Sequence, residues 1–161
     1  MQTKSFTNLV KDHFSYLISD FGFSISEEHA VSDKSWSGGI VVYASEPRKN
    51  NAEVVQLSVR INLDRGYVLI DFDSPQISTR DLIGLTEVVH LVAPDVDLHE
   101  KIDFSKQPIE VIEPQIRKLS YILRHYCASL LQGDISFLRR VIESRKTKME
   151  EYTKEWKKRK E

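Results

Sequence analysis

The side chains able to do chemistry are scattered through this sequence rather than gathered into a motif. His125 and Cys127 stand two apart within a run of helical spacing, so a helix turns them in different directions and no thiolate–imidazole pair forms between them. His90 and His99 flank Pro94 with no HxH or HExxH arrangement around them, which leaves out the helical zinc pair. His13 falls on the apolar face of an N-terminal helical pattern and reads as a histidine at the edge of the core. Asp95 and Asp97 open DVDLHE in the manner of a calcium loop, but the glycine and distal glutamate that shape and close such a loop are missing. Gly38-Gly39 lacks the Lys-Ser/Thr pair and the following helix that a phosphate loop needs. Asp71 and Asp73 alternate onto one face of a strand pattern and form the carboxylate pair that spacing alone brings side by side. The sequence therefore predicts no catalytic residues, no metal ligands and no cofactor. The enzymatic alternative is an unrecognised site that joins Asp71 and Asp73 to a histidine.

The elements that carry these residues follow from periodicity. Val55, Leu57, Val59, Ile61 and Leu63 alternate with polar residues, the turn Asp64-Arg65-Gly66 follows, and Val68, Ile70 and Phe72 alternate with Tyr67, Leu69, Asp71 and Asp73. That pattern predicts a β-hairpin with one apolar and one polar face. Phe6, Leu9, Val10, His13, Phe14, Leu17 and Ile18 predict a helix from Ser5 to Asp20, closed near Gly22. Phe23 to Glu27 and Ile40 to Ala44 predict two more strands, joined by a small, polar turn over Ser32 to Gly39. Glu46 to Asn51 reads as a polar connection. A helix starting near Ser78 or Thr79 and carrying Leu82, Ile83, Leu85, Val88, Val89 and Val92 ends before Pro94, and the polar segment Asp95 to Gln107 reads as a loop. From Pro108, helical spacing runs to Leu130, with Pro114 marking either the first turn or a bend before it. Gln132-Gly133-Asp134 punctuates, and a last helix carries Leu138, Ile142, Met149, Tyr152 and Trp156 toward Glu161.

These elements predict an α+β fold: an N-terminal helix, a four-stranded antiparallel meander, helices packed on one face of it, and a long C-terminal helix. Residues 1–133 form the core domain and residues 134–161 a charged helical extension of it. One cysteine in 161 residues excludes an intrachain disulfide and suits a reducing, cytoplasmic compartment. No run of apolar residues has the length of a membrane span, so no membrane partner is expected.

A formal charge of −1 conceals a division along the chain. The tail from Arg139 holds 10 of the 23 basic and 5 of the 24 acidic side chains, which leaves 13 basic and 19 acidic in residues 1–138. An acidic body suits a basic protein partner and repels phosphate, so nucleic acid is not an expected ligand. Tyr67, Asp71 and Asp73 on the polar hairpin face, and Met149, Tyr152 and Trp156 on the last helix, are the predicted partner-binding residues. The helix seam also offers a homodimer contact.

FTNLVKDHFSYLISDFGFSI, the strand IVVYAS and the hairpin VRINLDRGYVLIDF resemble a diffuse group of small uncharacterised bacterial cytosolic proteins, some of them similar to immunity proteins that neutralise a toxin. The shared pattern is an aromatic-rich first helix ending in a Tyr/Phe-Gly-Phe element, a V-x-Y-x-S strand and a D-R-x-G-like hairpin turn, shortened here to Asp64-Arg65-Gly66; the basic C-terminal helix is not part of it. The resemblance covers about the first half of the chain. It implies a non-catalytic protein-binding module, an immunity-like inhibitor whose partner is a basic toxin, and it carries over no site residues. The alternative is an assembly subunit that dimerises through its last helix.

Overall fold

The hairpin that the alternation predicts is the centre of the fold. The computed structural model describes residues 4–77 and 82–161. Its main sheet is an antiparallel meander of β1 (Phe23–His29), β2 (Ile40–Ser45), β5 (Ser58–Asp64), β6 (Tyr67–Asp73) and β7 (Ile83–Gly84), in that spatial order. Asp64 pairs with Tyr67, so the β5–β6 reversal uses two residues, Arg65 and Gly66. Both take positive φ, at 49° and 84°, as the mirror-image turn that matches strand twist requires. Val59, Ile61, Leu63, Val68, Ile70 and Phe72 are buried on one face with Val41 and Tyr43 beside them. Helices α1 (Phe6–His13), α3 (Leu85–Val92) and α4 (Pro108–Tyr126) supply the other side of that core.

Several boundaries differ from expectation, each for a local reason. The first helix is not continuous to Asp20, because it breaks after His13 and resumes as α2 (Tyr16–Ser19). At the break Leu17 donates to the Phe14 carbonyl instead of His13, and Ser120 Oγ takes the freed His13 carbonyl at 2.6 Å. The shift lets Phe14, Tyr16 and Leu17 all enter the core. The first strand extends past Glu27 to His29, with a bulge between Ile25 and Glu27.

Residues 46–51 are more than a connection. They contain β3 (Arg48–Asn50), which pairs with β4 (Glu53–Val55) as a separate two-stranded ribbon. Asn51 supplies its positive-φ turn, and Arg48 fixes it to the body by donating to the Leu131 carbonyl and lying over the Phe23 ring. The long hairpin strand is consequently interrupted at Gln56-Leu57. There the Ser45 hydroxyl accepts from the Leu57 amide at 2.9 Å while the Leu57 carbonyl accepts from the Ser45 amide, so Leu57 stays 1% exposed and its backbone stays satisfied.

The meander has five strands rather than four because Ile83 and Gly84 pair with Phe72 and Asp71 before α3 begins. The expected start of that helix at Ser78 or Thr79 lies outside the described residues. Glu87 ties the observed start, its carboxylate accepting from the Gly84 amide at 3.3 Å.

Pro108 occupies the first turn of α4, where a missing N–H costs nothing, and Pro114 sits inside the helix on its exposed side. That helix stops at Cys127 and a short α5 (Ala128–Leu131) follows, closed by Gly133 at φ 108°. The N-cap of α6 (Ser136–Lys160) is Ile135 rather than the expected Asp134, which sits one residue earlier and accepts from the Ser136 amide at 3.1 Å in a local turn.

One buried polar contact locks α4 to the hairpin, and a second ties α2 to α4. Gln115 is 7% exposed; its Nε2 donates to the Gly66 carbonyl at 2.8 Å and its Oε1 accepts from the Val68 amide at 3.1 Å. Tyr16 donates its phenol to the Ser120 carbonyl at 2.7 Å, and burial pushes that phenol above its ordinary range.

Candidate docking surfaces

Three surfaces carry the predicted partner-binding residues or lie beside them. The first is the sheet face opposite the helices. Pairing places Arg60 between Val42 and Asp71, Asn62 between Ile40 and Leu69, and Ser58 between Ala44 and Asp73, with Asp64 beside Tyr67 at the turn. Tyr67, Asp71 and Asp73 thus share one face of β6, as the alternation predicts. They differ in environment: Tyr67 and Asp73 are exposed, whereas Asp71 is half-buried. Burial holds the Asp71 carboxyl above the usual carboxylate range; the Arg60 charge opposes that rise and the Glu87 charge adds to it. Glu27, paired with Val42, extends the acidic character of this face toward β1.

The second surface is an open recess of about 740 Å³ at the end of the β5–β6 hairpin, lined by Asp64, Arg65, Tyr67, Leu69, His99 and Phe104. The His99 ring meets Tyr67 edge-on with centroids 5.9 Å apart, and Phe104 packs against Trp36 at 5.1 Å. Trp36 reaches the hairpin because its carbonyl accepts from the Gly66 amide at 2.8 Å. Sequence reasoning missed this grouping. The segment from Asp95 to Gln107 has no period, and its signal was Phe104, a lone aromatic in a polar loop.

The third surface is α6. Its first part docks: Leu138 and Val141 are buried, and Phe137 and Ile142 are partly so. Arg145 makes a two-pronged contact with Glu87 on α3, Nε to Oε2 at 2.7 Å and Nη2 to Oε1, and also donates to the Leu82 carbonyl at 2.9 Å. The Arg145 hydrogen bond holds the Glu87 carboxyl below its ordinary value. From Lys146 to Glu161 every residue is exposed, so about 22 Å of helix stands beyond the last docking contact. Met149, Tyr152 and Trp156 are 66%, 66% and 50% exposed there. At about 100° per residue these three fall on the same helix face as Leu138, Val141, Ile142 and Arg145. The face that the body covers in the first half continues uncovered in the second.

The chemistry-bearing residues elsewhere are engaged in local packing and turn contacts. Cys127 is buried and its thiol is pushed up to about 12 by that burial, which suppresses the thiolate a nucleophile requires. His125 stacks on Tyr121 one turn earlier, 5.4 Å between centroids, and not on Cys127. Asp97 accepts from the His99 amide at 3.1 Å, a local turn contact. Among the described residues no group of three or more His, Cys, Asp or Glu side chains is arranged to hold a metal ion, and no helix is long and apolar enough to cross a membrane. Compared with protein-family models, with curated proteins and with solved structures, the chain matches none.

Proposed function

We propose that this protein works by binding another protein, and that the distal half of α6 is the element that enters the partner. The supporting observation is the stripe of Met149, Tyr152 and Trp156, three large side chains at i, i+3 and i+7 on a helix face that folding leaves uncovered. That spacing is the one by which amphipathic helices seat their anchors in an apolar groove. Aromatic and methionine side chains are also the types enriched at the buried centres of interfaces. The test compares recovery of co-purifying protein by the native chain and by the triple variant Met149→Ala, Tyr152→Ala, Trp156→Ala, both at native expression level. A stoichiometric partner lost in the variant is the expected result. A partner retained by the variant would remove α6 from the interface.

A second reading, immunity-like inhibition of a toxin, draws on a different observation. Glu27, Asp64, Asp71 and Asp73 outnumber Arg60 on the sheet face opposite the helices, which suits a basic protein surface. Neutralisation of a basic toxin should then survive the α6 triple variant and fail when Asp64→Lys and Asp73→Lys are combined. The opposite pattern of losses would reject it.

A further inference from the structure

The reading of distal α6 as a docking element leaves its partner's chemistry open, and the distribution of charge around the stripe narrows it. Taking about 100° per residue from the centre of the Met149–Tyr152–Trp156 stripe, the charged residues of the free half that lie within roughly 90° are Lys146, Lys148, Arg159 and Lys160. They fall on both flanks, and Lys160 already lies over the Trp156 ring, 3.8 Å from its centroid. Lys146 and Glu155 both sit at the border of that arc, on opposite sides, and Glu150, Glu151 and Glu161 lie further round, toward the back of the helix. The anchors are therefore set in a basic frame.

We infer that the occupant of this face is an apolar groove with an acidic rim on a different protein, which covers Met149, Tyr152 and Trp156 while its carboxylates meet the flanking Lys and Arg residues. The inference rests on the protein-binding reading of α6 and adds the chemical class of the partner. Stripe-to-stripe pairing with a second copy of this chain fits poorly, because it sets Lys and Arg flanks against Lys and Arg flanks in either helix direction, and like charges at such positions oppose association. An anionic membrane fits poorly too. Helices that lie in the interface present a wide apolar face, whereas this one offers three anchors over two turns and carries three glutamates in the same stretch.

The experiment places benzoylphenylalanine at position 152 of the full chain, irradiates cells that naturally make the protein, and sequences the cross-linked peptide by mass spectrometry. Two further chains carry the same label and the same change in net charge: Lys146→Glu with Arg159→Glu on the flanks, and Lys154→Glu with Lys158→Glu on the back. The expected adduct is a segment of another polypeptide with clustered Asp and Glu, its yield reduced about tenfold or more by the flank pair and changed less than about twofold by the back pair. An adduct with this chain itself, one with a neutral or basic segment, or equal loss from both charge pairs would overturn the inference while leaving protein binding intact. Absence of any protein adduct would instead remove the protein-binding reading. Co-flotation of the purified chain with vesicles of equimolar phosphatidylcholine and phosphatidylserine, lost in the flank pair alone, would replace the acidic groove with a lipid surface.

Discussion

Replacing Gln115 by leucine tests how the helical layer holds the hairpin. The side chain bridges α4 to the hairpin end: Nε2 to the Gly66 carbonyl at 2.8 Å and to the Val111 carbonyl at 3.3 Å, with Oε1 receiving the Val68 amide at 3.1 Å. Gly66 lies in the hairpin turn, and Val68 lies where β6 runs beyond its short pairing with β7. Leucine nearly matches glutamine in volume, so the cost is the loss of partners for a buried N–H and a buried C=O, each about 1–3 kcal/mol. The added apolar surface returns about 1 kcal/mol. The net expectation is a destabilisation of about 1–5 kcal/mol, or a fall in Tm of roughly 2–20 °C for a chain of this length. Urea denaturation gives the stability, and amide exchange followed by NMR gives the location. Val68 should lose protection beyond the global change, whereas Ile61 at the sheet centre should follow the global change alone. A loss below about 0.5 kcal/mol, or a Val68 amide no less protected than its neighbours, would refute the role assigned to Gln115.

Acid should weaken the attachment of α6. The Glu87 carboxyl is held below its ordinary value by Arg145, so its stabilisation is complete above the unfolded value near 4.5 and is lost as pH falls through the lower folded value. Thermal midpoints of the native chain should drop more steeply below about pH 4.5 than those of Glu87→Gln, and parallel curves would deny the pair this role. Gly39→Ala should cost about 1–3 kcal/mol by calorimetry, because a Cβ there would run into the buried Phe6 ring; a near-neutral result would mean that the contact of α1 with the entry to β2 is looser than described. Truncation after Lys148 should change stability by less than about 0.5 kcal/mol, since the residues removed bury nothing in the fold. A larger loss would show that the distal helix is braced by the body.

Periodicity made the hairpin, the apolar faces of α1, α3 and α4 and the length of α6 legible, since each repeats a strong signal over two turns or more. What it could not convey were choices made in three dimensions. The break after His13 depends on Ser120 capturing a carbonyl over a hundred residues away in sequence. The Arg48–Asn50 ribbon depends on Leu131 and Phe23, neither of which leaves a trace in the local pattern EPRKNN. Ile83-Gly84 had the spacing of a helix and became a strand because an exposed edge of β6 was available for pairing. The candidate site divides in the same way. Tyr67, Asp71, Asp73 and the α6 stripe followed from alternation and helical spacing, whereas the His99 and Phe104 side of the recess required the path of a loop without a period.

The distal half of α6 isolates a question that folding does not answer. A helix that buries nothing draws its stability from local propensity, and any run of Lys, Glu, Arg, Gln or Ala would serve that purpose better than one containing Tyr, Trp and two threonines. Packing cannot account for Met149, Tyr152 and Trp156, because no part of the described body reaches them. Solubility argues against them, since exposed aromatic residues in register are an invitation to association. Their alignment with Leu138, Val141 and Arg145 means that a groove continuing the line of the body's own helix-binding surface would receive all three without any rotation of the helix. On the protein-binding reading proposed above, the surface that covers these side chains is supplied from outside the fold.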